Sequence, residues 1–98
     1  MKQSTKTKQQ CEKIYKTLTN RGHIISSQRK VLIEALCEQR KIKNIEAFWM
    51  DLRLSHGISW ATVYTNMRLF IEIGLVMKEG HKQVMDVCYR LNSNETEN

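Results

Sequence analysis

Residues 59–76, SWATVYTNMRLFIEIGLV, change their apolar period part-way along, and this limits most narrowly what the chain can become. The hydroxyl of Ser59 can cap a helix, and Val63, Met67, Phe70 and Ile71 then fall on one stripe at 0, 4, 7 and 8. From Leu75 the pattern becomes that of a strand. At 100° per residue the other face of this helix carries Ala61, Tyr64, Thr65, Arg68 and Leu69, with no carboxylate before Glu72. A face of small, hydroxylated, aromatic and cationic groups is of the kind that enters a major groove.

The segments before this helix supply its partners. A helix over about residues 9–18 puts Cys11, Ile14, Tyr15 and Leu18 on one stripe, with Asn20-Arg21-Gly22 as its stop. Ser26 or Ser27 caps a second helix reaching about Glu38, with Val31, Leu32, Ala35 and Leu36 inward. A basic loop over residues 40–43 follows. Asn44 caps a third helix on which Ile45, Phe48, Trp49 and Leu52 repeat, and His56-Gly57 ends it only a few residues before Ser59. Two helices joined by so short a glycine-containing turn have the helix-turn-helix pattern.

Leu75-Val76-Met77 and residues 84–91 read as two strands around the polar stretch 78–83. Helices followed by such a hairpin predict a mainly α fold with a small β-hairpin, a winged helix-turn-helix. Lys78, His81 and Lys82 at the tip of the wing can meet phosphate or a minor groove, and Lys78 and Lys82 can equally protect a strand edge from aggregation. The organisation expected is a flexible basic N-terminus over 1–8, one domain over 9–91 and a flexible polar tail over 92–98.

With 98 residues there is room for one small domain. Sixteen Lys and Arg against ten Asp and Glu give a net charge of +6. Eight of those bases and a single acid, Glu12, lie in residues 1–30, an asymmetry that suits a polyanion partner and also serves solubility. No window approaches the ~18 apolar residues of a membrane span, and the lysine-rich start lacks the apolar segment of a signal peptide, so no membrane and a cytoplasmic location are expected. Cys11, Cys37 and Cys88 are widely spaced and form no Cys-x-x-Cys pair, which fits reduced structural thiols. His23, His56 and His81 are scattered, without the i, i+4 spacing of a helical metal site, and no cofactor is expected. Neither a nucleophile triad nor a glycine-rich phosphate loop can be assembled, so an enzyme is not expected.

Taken in order, Arg21-Gly22 with Ser26-x-x-Arg29, then Ile58-Ser59-x-Ala61-Thr62-Val63-Tyr64, then Glu72-x-Gly74-Leu75-Val76 and finally Tyr89-x-Leu91 resemble the N-terminal DNA-binding half of the ferric uptake regulator family. The resemblance covers about residues 9–91. It implies a winged helix on double-stranded DNA, with Tyr64 approaching the DNA. Where that family places an arginine after the tyrosine, Thr65 stands here, and the loss removes a contact worth about 1–3 kcal/mol of base discrimination. The family's second domain, which dimerises and binds regulatory metal, has no counterpart in these residues. The position where it often carries a metal-binding His is Ile42, so metal sensing is not implied.

The expected function is therefore a DNA-binding transcriptional regulator that does not respond to metal. Ser59, Ala61, Thr62, Tyr64, Thr65 and Arg68 would face the groove, and Arg29, Lys30, Lys78 and Lys82 would hold phosphates. The alternative is a protein-interaction module that keeps the scaffold without specific DNA binding. Tyr64 could instead pack on the third helix, and Arg68 could pair with Glu72 one turn on. Trp60 adjoins the Val63 and Met67 stripe and is read as core rather than phosphate-facing. Leu69, apolar on the outer face, is a candidate for pairing with a second copy or a protein partner.

Overall fold

The computed structural model describes residues 5–80 and 88–92. Four helices, α1 (Thr5–Asn20), α2 (Ser27–Gln39), α3 (Ile45–His56) and α4 (Trp60–Glu72), surround the core. Three short strands, β1 (Lys41–Ile42), β2 (Val76–Glu79) and β3 (Cys88–Leu91), form one antiparallel sheet in the order β1-β3-β2.

The helix starts follow from local chemistry. Ser26 Oγ accepts the Arg29 N–H, Asn44 Oδ1 the Ala47 N–H, and Ser59 Oγ the Thr62 N–H, each at 3.0–3.1 Å. Each cap satisfies a donor that the first helical turn leaves open, a gain of about 1 kcal/mol apiece. Helix α1 begins earlier than its apolar stripe suggested, within the stretch expected to be flexible, because Thr7 is buried four residues before Cys11 and extends the stripe by one turn. At the other end of α1 the His23 N–H reaches back to the Leu18 carbonyl at 2.9 Å, closing the helix where Gly22 allows φ +88°.

Burial on α2 is rotated from the expected face. Leu32, Ile33, Leu36 and Cys37 are the buried residues, while Val31 and Ala35 are half-buried, since α2 packs against α1 and α4 at once. Cys11, Ile14 and Leu18 from α1 join Phe48 and Leu52 from α3, Val63, Met67 and Phe70 from α4, and Ile42, Val76 and Leu91 from the sheet in one cluster. At ~1.5–3 kcal/mol for each large side chain fully removed from water, this cluster is the main source of stability.

The basic loop expected over residues 40–43 contains a strand instead. Lys41 and Ile42 pair with Arg90 and Tyr89, so the sheet has three strands and β3 is central. Ile42 is 1% exposed, and burying it is what makes two residues worth ordering as a strand. Arg40 adopts φ +64° at the end of α2 and its carbonyl accepts the Leu91 N–H at 2.8 Å, which locks the exit from α2 to the last strand. Lys78 and Glu79, expected in the tip of the hairpin, continue β2 and pair with Tyr89 and Cys88. Strand β3 is described from Cys88 onward; residues 84–87 of the expected strand, with His81 and Lys82, lie outside the described residues.

Candidate nucleic-acid interface

Helices α3 and α4 are joined by Gly57, Ile58 and Ser59. Gly57 takes the left-handed conformation (φ +69°, ψ 25°) and its N–H closes on the Arg53 carbonyl at 2.9 Å. An L side chain rarely adopts this conformation, so glycine ends α3 at low strain. Ile58 is buried at 1% exposure, and the Trp49 indole N–H donates to its carbonyl at 3.1 Å. An apolar anchor and a hydrogen-bonded strap thus fix how α4 leaves α3.

The inner face of α4 holds Val63, Asn66, Met67 and Phe70; Ile71 is half-buried. Asn66 is the polar member of this stripe. Its Oδ1 accepts the Arg29 Nε–H at 2.6 Å and its amide donates to the Thr62 carbonyl at 2.7 Å. The same Arg29 donates from Nη1 to the Ile24 carbonyl at 2.8 Å. Arg29, expected at a phosphate, is therefore a tie between the start of α2, the connection before it and the middle of α4. Asn66 was missed in sequence because its residue type says surface; its spacing from Val63 and Phe70 is the signal that placed it inside.

The outer face of α4 is open. Ala61, Tyr64, Thr65 and Arg68 are exposed, Thr62 is half-buried beside its cap, and the Ser59 hydroxyl is shared between that cap and the Thr62 hydroxyl at 3.0 Å. Lys30 is exposed at the start of α2 and Lys78 on β2. Leu69 is less open than these: it is half-buried and packed against the core, so only part of its side chain faces outward.

Trp60 departs from its expected place in the core. It is 39% exposed, because the stripe it extends runs beyond the edge of the core in the first turn of α4. Its ring meets Trp49 edge-on at 5.5 Å and stacks with Tyr64 at 6.4 Å. Arg53 lies 5.7 Å over Trp49 and Arg68 lies 5.9 Å over Tyr64. Arg68 thus rests on Tyr64 rather than pairing with Glu72. The result is a ladder of three rings with an arginine at either end, running from α3 onto the exposed face of α4. Stacking holds Tyr64 half-open to solvent, at 52% exposure, with its hydroxyl free to project.

Beside this ladder, Tyr64, Met67, Arg68, Ile71, Glu72, Lys78 and Tyr89 line an open groove of about 500 Å³ between α4 and the β2–β3 pair. Arg68 from α4 and Lys78 from β2 put a cation on each side of the groove, and Glu72 is the acid that lines it. The exposed Lys6, Lys8, Lys13 and Lys16 on α1 add positive charge elsewhere on the surface.

Cys11 and Cys37 are buried in the core, and Cys88 is half-buried on β3; all three are free thiols. Burial pushes the Cys11 and Cys37 thiols above their ordinary value of 9.0, and it likewise raises Tyr15, whose hydroxyl donates to Glu34 at 3.3 Å. Among the described residues no three His, Cys, Asp or Glu side chains converge as metal ligands. None of the described helices is long and apolar enough to cross a membrane. No family model, curated protein or solved structure matches the chain.

Proposed function

We propose that this protein is a DNA-binding transcriptional regulator in which α3 and α4 form a helix-turn-helix and β2–β3 a wing, as in the ferric uptake regulator family that the sequence resembles. The observation that carries this reading is the exposed face of α4, where Tyr64, Thr65 and Arg68 project together and Glu72 is the first acid. This helix would enter the major groove of double-stranded DNA. Tyr64, held open by Trp60, and Thr65 would meet base edges or a thymine methyl, while Arg68 would reach a guanine or the adjoining phosphate. Lys30 and Lys78 would lie along the backbone on either side. Ala61 is small enough to let the start of the helix approach the groove floor.

Fluorescence anisotropy of labelled DNA from the upstream region of the protein's own gene, with random duplex as competitor, tests the reading. Wild type is expected to prefer its own region and Tyr64→Ala to lose that preference, about tenfold or more. The logarithm of the binding constant should fall against log salt by about 0.9 for each phosphate neutralised. No binding to any duplex at low salt would reject the proposal. The Thr65 that replaces the expected arginine favours a second reading, an interaction module without DNA specificity. Weak, salt-sensitive and sequence-blind binding that Tyr64→Ala leaves unchanged would support it.

A further inference from the structure

Helix α3 is apolar on two sides. Phe48 and Leu52 enter the core, whereas Ala47, Met50 and Leu54 form a second stripe at i, i+3 and i+7 that faces outward. Leu54 is 79% exposed and Met50 is 40% exposed. Contiguous exposed apolar side chains on a small domain mark a contact surface more often than an accident of composition. The ladder and groove of α4 do not use this stripe.

The charges beside the stripe identify its occupant. Glu46 and Arg53 are both exposed and, seven residues apart, lie on the same flank of the helix. When two copies of a helix cross antiparallel about a two-fold axis, each flank faces the same flank of the other copy in reversed order. With the axis beside Met50, Met50 meets its own counterpart and Ala47 meets Leu54 of the second copy. Glu46 then comes opposite Arg53 of the second copy, and the symmetry makes this ion pair twice. A parallel two-fold crossing would instead set this flank against the opposite one, bringing Glu46 of each copy towards Asp51 of the other, a repulsion in place of an ion pair. We infer that the outer stripe of α3 is a self-complementary dimer surface, on which two copies of this chain pair with their α3 helices antiparallel.

The surface is small. A helix of twelve residues is about 18 Å long, which puts the buried area at the low end for a specific contact. Asp51 on the other flank comes near its own counterpart and weakens the pairing further. The dimer is accordingly expected to dissociate at micromolar concentrations, well above those at which obligate dimers come apart.

Sedimentation equilibrium from about 10 µM to about 1 mM, without DNA, tests the pairing independently of the nucleic-acid reading. The wild-type mass should rise with concentration from 11.6 kDa towards twice that value. Leu54→Glu should remain monomeric, with far-UV circular dichroism checking that it is folded. Glu46→Arg or Arg53→Glu alone places like charges opposite one another and should weaken pairing by about threefold to tenfold. The double variant, which exchanges the two charges, should restore the wild-type constant to within about twofold. A wild type that is monomeric at the highest concentration, or a double variant no better than either single, overturns the inference and leaves the stripe to a different protein.

Discussion

Asn66 and Arg29 carry more of the fold than their residue types suggest. Asn66→Ala leaves the Arg29 Nε–H without its 2.6 Å acceptor in a half-buried site. A loss of about 2 kcal/mol in urea unfolding is expected, with α4 and the start of α2 loosened together. Legibility at this scale was uneven. The caps Asn44 and Ser59 were readable because each bonds an N–H three residues away, and for α2 the choice was narrowed to Ser26 or Ser27, of which Ser26 is the cap. Asn66, Trp60 and Leu69 were not, because their surroundings depend on where the edge of a packed core falls. The thiols give a second prediction. Cys11 and Cys37 keep their protons in the folded protein to a higher pH than in the unfolded chain, because burial disfavours their thiolates. The unfolded chain therefore binds fewer protons once the pH rises past about 9, and stability should fall from there upward while staying level below it. Urea midpoints between pH 7 and 10.5 check this, and Cys11→Ala/Cys37→Ala should flatten part of the decline. At neutral pH a thiol reagent should label Cys88 quickly and the two buried cysteines only on unfolding.

Among the elements, the α3–α4 unit is the most strongly specified from within. A helix stop, a buried anchor and a cap follow one another in Gly57, Ile58 and Ser59. Ser59→Ala should cost about 1 kcal/mol, and Gly57→Ala a similar amount because the left-handed backbone must then carry a side chain. Thermal melts of the single variants and the double variant would measure both terms; neighbouring sites on one turn are expected to couple rather than add. The helices were legible from their period. Strand β1 was not, since Lys41 and Ile42 have no alternation of their own and become a strand only by pairing with Tyr89 and Arg90.

For the whole molecule, the buried cluster draws on every helix and all three strands except that Cys88, Tyr89 and Arg90 lie at its margin. Ile42 links the helical part of that cluster to the sheet. Ile42→Ala should cost about 2–4 kcal/mol, and hydrogen exchange should show β1 and β3 losing protection together. Two modules joined through α3 would also present two α4 helices related by symmetry. A footprint on DNA should then cover an inverted repeat, whereas a monomer would protect a single half-site.

Among the described strands, the one in the middle of the sheet, β3, comes last in chain order. Until β3 docks, α1 to α4 can gather while β1 and β2 keep open edges on either side of an empty lane. The pairing of β1 with β3, so distant along the chain, closes late and slowly, whereas β2 and β3 are near neighbours. Arrival of Cys88–Leu91 fills the lane, satisfies both edges at once and draws the Arg40 carbonyl onto Leu91. Anything that delays this docking would hold the domain in a half-built form, with the strand edges β1 and β2 exposed to the wrong partner.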